Sequence, residues 1–192
     1  MSGQCLSRVL VVAATDRELS SADGWATLAC GVGPVDAAAR VAAAIAMTRP
    51  DVILHVGIAG ARAASGLMPP QLVIGTDAFY CDLGVPERFA PHHLTCDARL
   101  LEAARAAIPG AVCRSIGTSG RIAQSVGCDV EAMEGFAVLR AAQLANVPAI
   151  EVRAISNAVE ERDRAKWKFD EAFAAITAVT PRLVKEIASC LS

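Results

Sequence analysis

The stretch Ile150-Glu-Val-Arg-Ala-Ile-Ser-Asn157 decides how this chain is organised. Its apolar, β-branched run reads as a strand covered on both faces, and it ends by delivering Arg153, Ser156 and Asn157 to its carboxyl-terminal edge. Outward from it, runs of the same kind occupy Arg8–Ala14, Thr27–Val32, Val52–Val56, Leu72–Phe79 and Val112–Ile116, with the last strand starting at Ala149. Helical periodicity fills Pro34–Thr48, Asp97–Ala107, Met133–Ala145 and Asp170–Leu191. Pro34 suits a first helical turn, with Asp36 near its positive end, and Asp97 suits an N-cap. Pro181 is expected to kink or split the last helix. Strands alternating with helices predict a three-layer α/β/α sandwich around a mixed, largely parallel sheet, in a single domain over 1–192.

The composition narrows the function. The 192 residues suffice for a substantial core, and 54% hydrophobic against 20% charged residues describes a compact globular protein. Lys+Arg 18 against Asp+Glu 20 leaves no basic excess for a phosphate backbone, so a small polar metabolite is expected rather than nucleic acid. Seven cysteines (5, 30, 81, 96, 113, 128 and 190) form no close pair, which points to reduced thiols in a cytoplasm rather than a disulfide framework or a zinc site. His92-His93 lacks a metal pair's helical spacing, so neither metal nor cofactor is expected. No apolar segment reaches the ~18 residues of a membrane span, and Val9–Ala14 is too short for a signal-peptide core. The loop Cys81–His93 is long enough to be a lid or a partner contact.

Ligands of open α/β sheets bind outside the carboxyl ends of the strands. Four features fall there: Asp16-Arg-Glu18 after the first strand, a turn Gly57-Ile58-Ala59-Gly60 after the third, Glu131–Glu134 opening a helix, and Asn157. Each has an ordinary structural account as well. Glycines close-pack a strand exit, Glu18 is a solvated charge, Glu131 and Glu134 favour a helix start on one face, and Asn157 caps a turn. Met133 favours a functional account, because an apolar side chain suits a sugar face while the neighbouring carboxylate accepts hydrogen bonds from vicinal hydroxyls. Gly31-Val-Gly33-Pro-Val-Asp36 imitates a dinucleotide fingerprint, but Asp36 stands where the third glycine belongs, which leaves a tight strand-to-helix turn. Arg153 precedes Asn157 by an even number of positions, so an extended strand would put both on one side, with Arg153 in a supporting role beside Glu151.

These segments in this order resemble the nucleoside phosphorylase/nucleosidase superfamily. The matching text is Ala13-Ala-Thr-Asp-Arg-Glu18, Gly31-Val-Gly33, Pro50–Gly60, Asp82-Leu-Gly84, Val130-Glu-Ala-Met-Glu-Gly135, Asn146-Val-Pro148 and Arg153-Ala-Ile-Ser-Asn157. Within the superfamily they are similar to the methylthioadenosine/S-adenosylhomocysteine nucleosidases and, more closely, to the futalosine hydrolases of the alternative menaquinone route. The resemblance implies three catalytic groups: Glu18 positioning water, Glu134 gripping the 2′- and 3′-hydroxyls, and Asn157 facing the purine. It implies substrate contacts from Gly57, Ile58, Ala59, Gly60, Met133, Arg153 and Ser156, and a homodimer or higher homo-oligomer. Ile58 stands where the family carries a serine, which favours water over phosphate as nucleophile. The base-stacking stretch near Ser119-Gly-Arg-Ile-Ala-Gln124 matches poorly.

The expected reaction passes through an oxocarbenium-like sugar cation, which nearby carboxylates stabilise. The amide of Asn157 donates to O6 or N7, whereas an ionised aspartate would oppose lone pairs to lone pairs. The expectation is therefore an N-ribosyl hydrolase of a 6-oxopurine nucleoside, futalosine giving hypoxanthine and dehypoxanthine futalosine. The alternatives are the adenine-specific nucleosidase and a non-catalytic purine-nucleoside binding module.

Overall fold

The computed structural model describes residues 8–21, 24–123 and 127–191; Cys5 and Gln124 lie outside them. In chain order the elements are β1 Val9–Ala13, β2 Ala26–Ala29, α1 Pro34–Thr48, β3 Val52–Ala61, β4 Leu72–Tyr80 and β5 His93–Thr95. They continue with α2 Ala98–Ala107, β6 Val112–Thr118, β7 Val130–Ala132, α3 Gly135–Leu144, β8 Ala149–Ala158 and α4 Phe169–Ser189.

The apolar strands bury both faces because alternate side chains serve opposite layers. Val9, Val11 and Ala13 of β1 join Val52, Leu54 and Val56 of β3 in a core under α2 and α4. Leu10 and Val12 join Ile53 in a second core under α1 and α3. The α/β class and the helix-flanked mixed sheet are as expected, with β1–β2, β1–β3, β3–β8, β4–β6 and β6–β7 parallel and β3–β7, β4–β5 and β4–β8 antiparallel. A plain sandwich does not describe the far half. There β3, β8, β4, β6 and β7 pair in a closed ring, and residues from all five strands pack together, among them Ala59, Val73, Ile116, Val130 and Ile155.

Four local expectations are corrected. The expected glycine turn after β3 is strand: Gly57–Gly60 continues β3, paired with β8 throughout and with β7 at Gly60. Glu131 does not open a helix but lies in β7, so it and Glu134 share no helical face. His93 belongs to β5, a short strand on the outer side of β4. Pro181 does not split α4, which runs through it as one helix. The start of α1 at Pro34 and the capping of α2 by Asp97, whose Oδ1 accepts from Arg99 N at 2.8 Å, are as expected. No helix among the described residues is long and apolar enough to cross a membrane.

Candidate active site

A cavity of about 260 Å³ opens at the carboxyl ends of β1, β3 and β8. Glu18, Ile58, Ala59, Gly60, Met133, Glu134, Ser156 and Asn157 all line it, so eight of the ten expected site residues converge. Gly57 and Arg153 do not line it and lie beneath its floor.

Glu18 sits in a single 3-10 turn after β1 and is 4% exposed. Its Oε2 accepts from Thr15 N at 2.9 Å and Thr15 Oγ1 at 2.8 Å, and its Oε1 accepts from Ile58 N at 3.1 Å. Three donors clamp this carboxylate without neutralising it, which explains how a buried acid is tolerated at a loop.

Glu134 occupies the N-cap position of α3 and is also 4% exposed. The helix start is held by Thr118, whose buried Oγ1 accepts from Phe136 N at 2.7 Å. The Glu134 Oε1 accepts from Gly33 N at 3.0 Å, across the turn from β2 into α1. Gly33 has φ 92°, a conformation that glycine adopts without penalty, so the turn can aim this N–H at Glu134. Burial pushes the Glu134 carboxyl above its ordinary range; Arg153 and the Gly33 N–H pull it down, while Glu18 and Glu151 push it up.

Asn157, 7% exposed, follows a register shift between Ala59 and Gly60 that places Ser156 as the extra residue of β8. The shift breaks the even-spacing argument for a shared side: Asn157 faces the cavity, whereas Arg153 is wholly buried below it. Asn157 Nδ2 donates to Ala158 O at 2.9 Å, and because a carbonyl only accepts, this contact fixes the amide's orientation. Ser156 Oγ lies 2.7 Å from Asn157 Oδ1 and 3.2 Å from Ala59 O, so its hydroxyl steadies the amide. One Nδ2 proton of Asn157 remains for a ligand.

Below the floor, Arg153 Nε donates to Glu151 Oε1 at 2.7 Å, the pairing expected from the sequence. Its Nη2 lies 3.7 Å from Glu134 Oε2 and 3.1 and 3.2 Å from the two ring nitrogens of His55. Burial alone would lower the Arg153 pKa, but Glu151, Glu134 and Glu18 more than reverse that. Burial, then Arg153, hold His55 well below its usual value, so the imidazole is neutral. A side chain at Gly57 would run into the Arg153 guanidinium and come within 2.8 Å of Glu18 Oε1. Glycine is required there by this close approach rather than by a turn.

Several lining residues escaped the sequence reading. Trp167, Phe169 and Phe173 form a wall, with ring centroids 5.4 Å apart for Trp167–Phe169 and 6.1 Å for Phe169–Phe173. Arg164 lies over Trp167 and Arg17 over Phe173. The missed signal was compositional: two Trp, one Tyr and five Phe are the whole aromatic complement, and three of them fall within residues 167–173. Glu131 lines the cavity as well, so Glu18, Glu131 and Glu134 share its wall with Arg164, the one basic lining residue among the described residues.

A family model described as the phosphorylase superfamily matches residues 26–191. The chain belongs to the phosphorylase superfamily. Futalosine hydrolase of Streptomyces coelicolor is 36% identical over 192 aligned positions, covering 87% of this chain and 81% of that protein. The superfamily fold is also that of the Helicobacter pylori futalosine hydrolase, with a TM-score of 0.77 at 13% identity over 94% of this chain and 97% of that one. The Neisseria meningitidis 5′-methylthioadenosine/S-adenosylhomocysteine nucleosidase, solved with methylthio-immucillin-A, gives 0.77 at 22% identity, covering 93% of this chain and 97% of that one.

Proposed function

We propose that this superfamily member, a nucleoside phosphorylase-like domain over 1–192, hydrolyses the N-glycosidic bond of a 6-oxopurine nucleoside. Futalosine is its substrate, hypoxanthine and dehypoxanthine futalosine are its products, and menaquinone synthesis in the cytoplasm is its setting. The observation that carries this reading is an amide, Asn157, in the same cavity wall as two buried carboxylates, Glu18 and Glu134. The 36% identity to the Streptomyces coelicolor futalosine hydrolase supports it.

In this reading Glu134 accepts the 2′- and 3′-hydroxyls through the lone pairs not used by Gly33, and Met133 packs the sugar face. Glu18 holds the attacking water beside C1′. As the bond breaks, positive charge grows on the sugar, and the acidic wall stabilises it. The spare Asn157 N–H donates to O6 or N7 of the leaving purine. Because an amide supplies no proton at neutral pH, the departing base is protonated from water. Ile58, Ala59, Gly60 and Ser156 shape the floor. Water is the nucleophile, since Ile58 offers no hydroxyl to a phosphate dianion and three wall carboxylates repel it. Arg153 and Gly57 act from beneath the floor.

The protein is a homo-oligomer. An apolar groove of about 640 Å³ runs between α1 and α3, with Val35 and Leu144 on its surface and Tyr80 at the head of the loop 81–92. Val32, three residues from Val35, lines the active-site cavity, so a second copy in the groove would sit beside the cavity mouth.

The deciding assay follows base release in phosphate-free buffer from futalosine, inosine and methylthioadenosine. Hypoxanthine release from futalosine without phosphate is expected. Release from methylthioadenosine alone would transfer the protein to the adenine-specific nucleosidases, strict phosphate dependence would make it a phosphorylase, and tight binding without turnover would make it a binding module.

A further inference from the structure

Arg153 sits among three carboxylates, yet it pairs directly with the one that is outside the cavity. Its Nε–H goes to Glu151 Oε1 at 2.7 Å, while Glu134 Oε2 stands 3.7 Å from Nη2, beyond hydrogen-bond reach. A buried guanidinium presents five donors in a rigid fork and is drawn into direct contact with whichever carboxylate its anchoring allows. The anchoring here comes from three directions. Glu151 takes Nε, the neutral His55 ring lies 3.1 and 3.2 Å from Nη2, and the bare Gly57 backbone makes room for Nη1.

Glu151 itself is specifically accommodated. It is 1% exposed, and its Oε2 has no hydrogen-bond partner among the described residues. Any side chain at Gly135, the first residue of α3, would run into the Glu151 carboxylate. Helix α3 therefore begins with glycine directly after Glu134, leaving space for a second acid behind the first. A buried carboxylate with an unsatisfied oxygen is costly for stability. Its position explains the expense in terms of what it does to Arg153.

We propose that Glu151 is a positioning residue: by holding Arg153 through Nε it keeps the guanidinium off Glu134, so that Glu134 Oε2 stays available to a ligand hydroxyl. This rests on the reading of Glu134 as the pentose-gripping group. Without Glu151, the nearest carboxylate for the fork is Glu134, and a direct pair there would consume the lone pairs that the sugar needs. The groups facing Glu134 are Arg153 and Glu151 from β8, Glu18 from the turn after β1, the Gly33 N–H, and Cys30, whose thiol burial pushes up to about 11 and keeps neutral.

The test compares wild type with Glu151→Gln, using futalosine and inosine. In the folded variant KM is expected to rise about tenfold, the effect of losing one charge-assisted acceptor, with a smaller fall in kcat. The acid limb of kcat/KM is expected to move to lower pH, because losing the Glu151 charge and gaining a direct Arg153 contact both favour ionised Glu134. A crystal structure of the variant should bring Arg153 Nη2 within hydrogen-bond distance of Glu134 Oε2. A folded variant with unchanged KM and acid limb, or with the 3.7 Å separation retained, overturns the proposal. Should Glu151→Gln not fold, Glu151→Met removes the acceptor and its unsatisfied oxygen at similar volume and leaves Arg153 in place. Its KM is expected to rise about tenfold or more, and a folded Glu151→Met with wild-type KM contradicts the proposal. If wild type releases no base from any nucleoside, the functional reading fails, while the Arg153–Glu134 separation in the variant crystal still decides the role of Glu151.

Discussion

Two concavities in this protein teach opposite lessons about what marks a site. The groove between α1 and α3 is the larger, about 640 Å³ against about 260 Å³, and Arg140 is the one charged residue in its wall among the described residues. The smaller cavity holds three carboxylates, an amide and an aromatic wall, all at the carboxyl ends of the sheet. Size follows from helix packing, where small residues such as Ala38, Ala42 and Ala141 leave room. Chemistry follows from topology, because the strands of a largely parallel sheet end on one side and bring distant polar residues together there. The groove can bury apolar area against another surface; the cavity can stabilise a cation.

Substitutions in the two places should therefore separate cleanly. The largest effect is expected for Glu134→Gln, which should lower kcat/KM for futalosine by about 10²–10³-fold, the range for removing one electrostatic group from a site. Its stability should move the other way. A carboxyl raised in the folded state stabilises fully below its unfolded value and loses that contribution as pH rises through the raised value. Removing the ionisable group is thus expected to raise Tm at pH 7–8, and a lowered Tm would contradict the burial argument. Next comes Gly57→Ala, whose methyl meets both Arg153 and Glu18; a loss of about 1–3 kcal/mol in unfolding free energy, with reduced turnover, is expected from denaturation and kinetics.

Wild type should also show an acid limb in kcat/KM above 4.5, the ordinary value for glutamate, since burial raises Glu134. A limb at or below that value would mean that Glu134 is not the ionised grip. The smallest effect on chemistry is expected in the groove. Leu144→Asp should shift the protein to a smaller species in sedimentation while leaving per-site turnover of the remaining oligomer near normal. An unchanged oligomer would place the contact elsewhere, the loop 81–92 being the next candidate.

What was legible in the sequence divides along similar lines. The long buried strands, the helix opened by Pro34 and the helix capped by Asp97 were readable because their signals are local. The strands β5 and β7 have three residues each, too few for any period, and their pairing is decided by distant partners. That is why Glu131 was misplaced on a helix. Gly57–Gly60 reads as a turn by composition, yet β8 along its whole length and β7 at its end make it strand. The convergence of Glu18, Met133, Glu134, Ser156 and Asn157 was readable from their place after the first strand, at a helix start and at the end of the last strand. The one-residue register shift between Arg153 and Asn157 is something no sequence periodicity reports. The aromatic wall depended on the segment 164–173 folding back over the cavity.

The central claim is that Asn157 meets an oxygen-bearing purine. The most direct measurement is the ratio of kcat/KM for futalosine to that for methylthioadenosine, in wild type and in Asn157→Asp. An aspartate would also set its carboxylate against Ala158 O, the present partner of Nδ2. The ratio is expected to fall by about 10²-fold or more, since a site built around a polar match rejects the mismatched base strongly. Equal losses on both substrates, with the ratio unchanged, would show that residue 157 does not read the base.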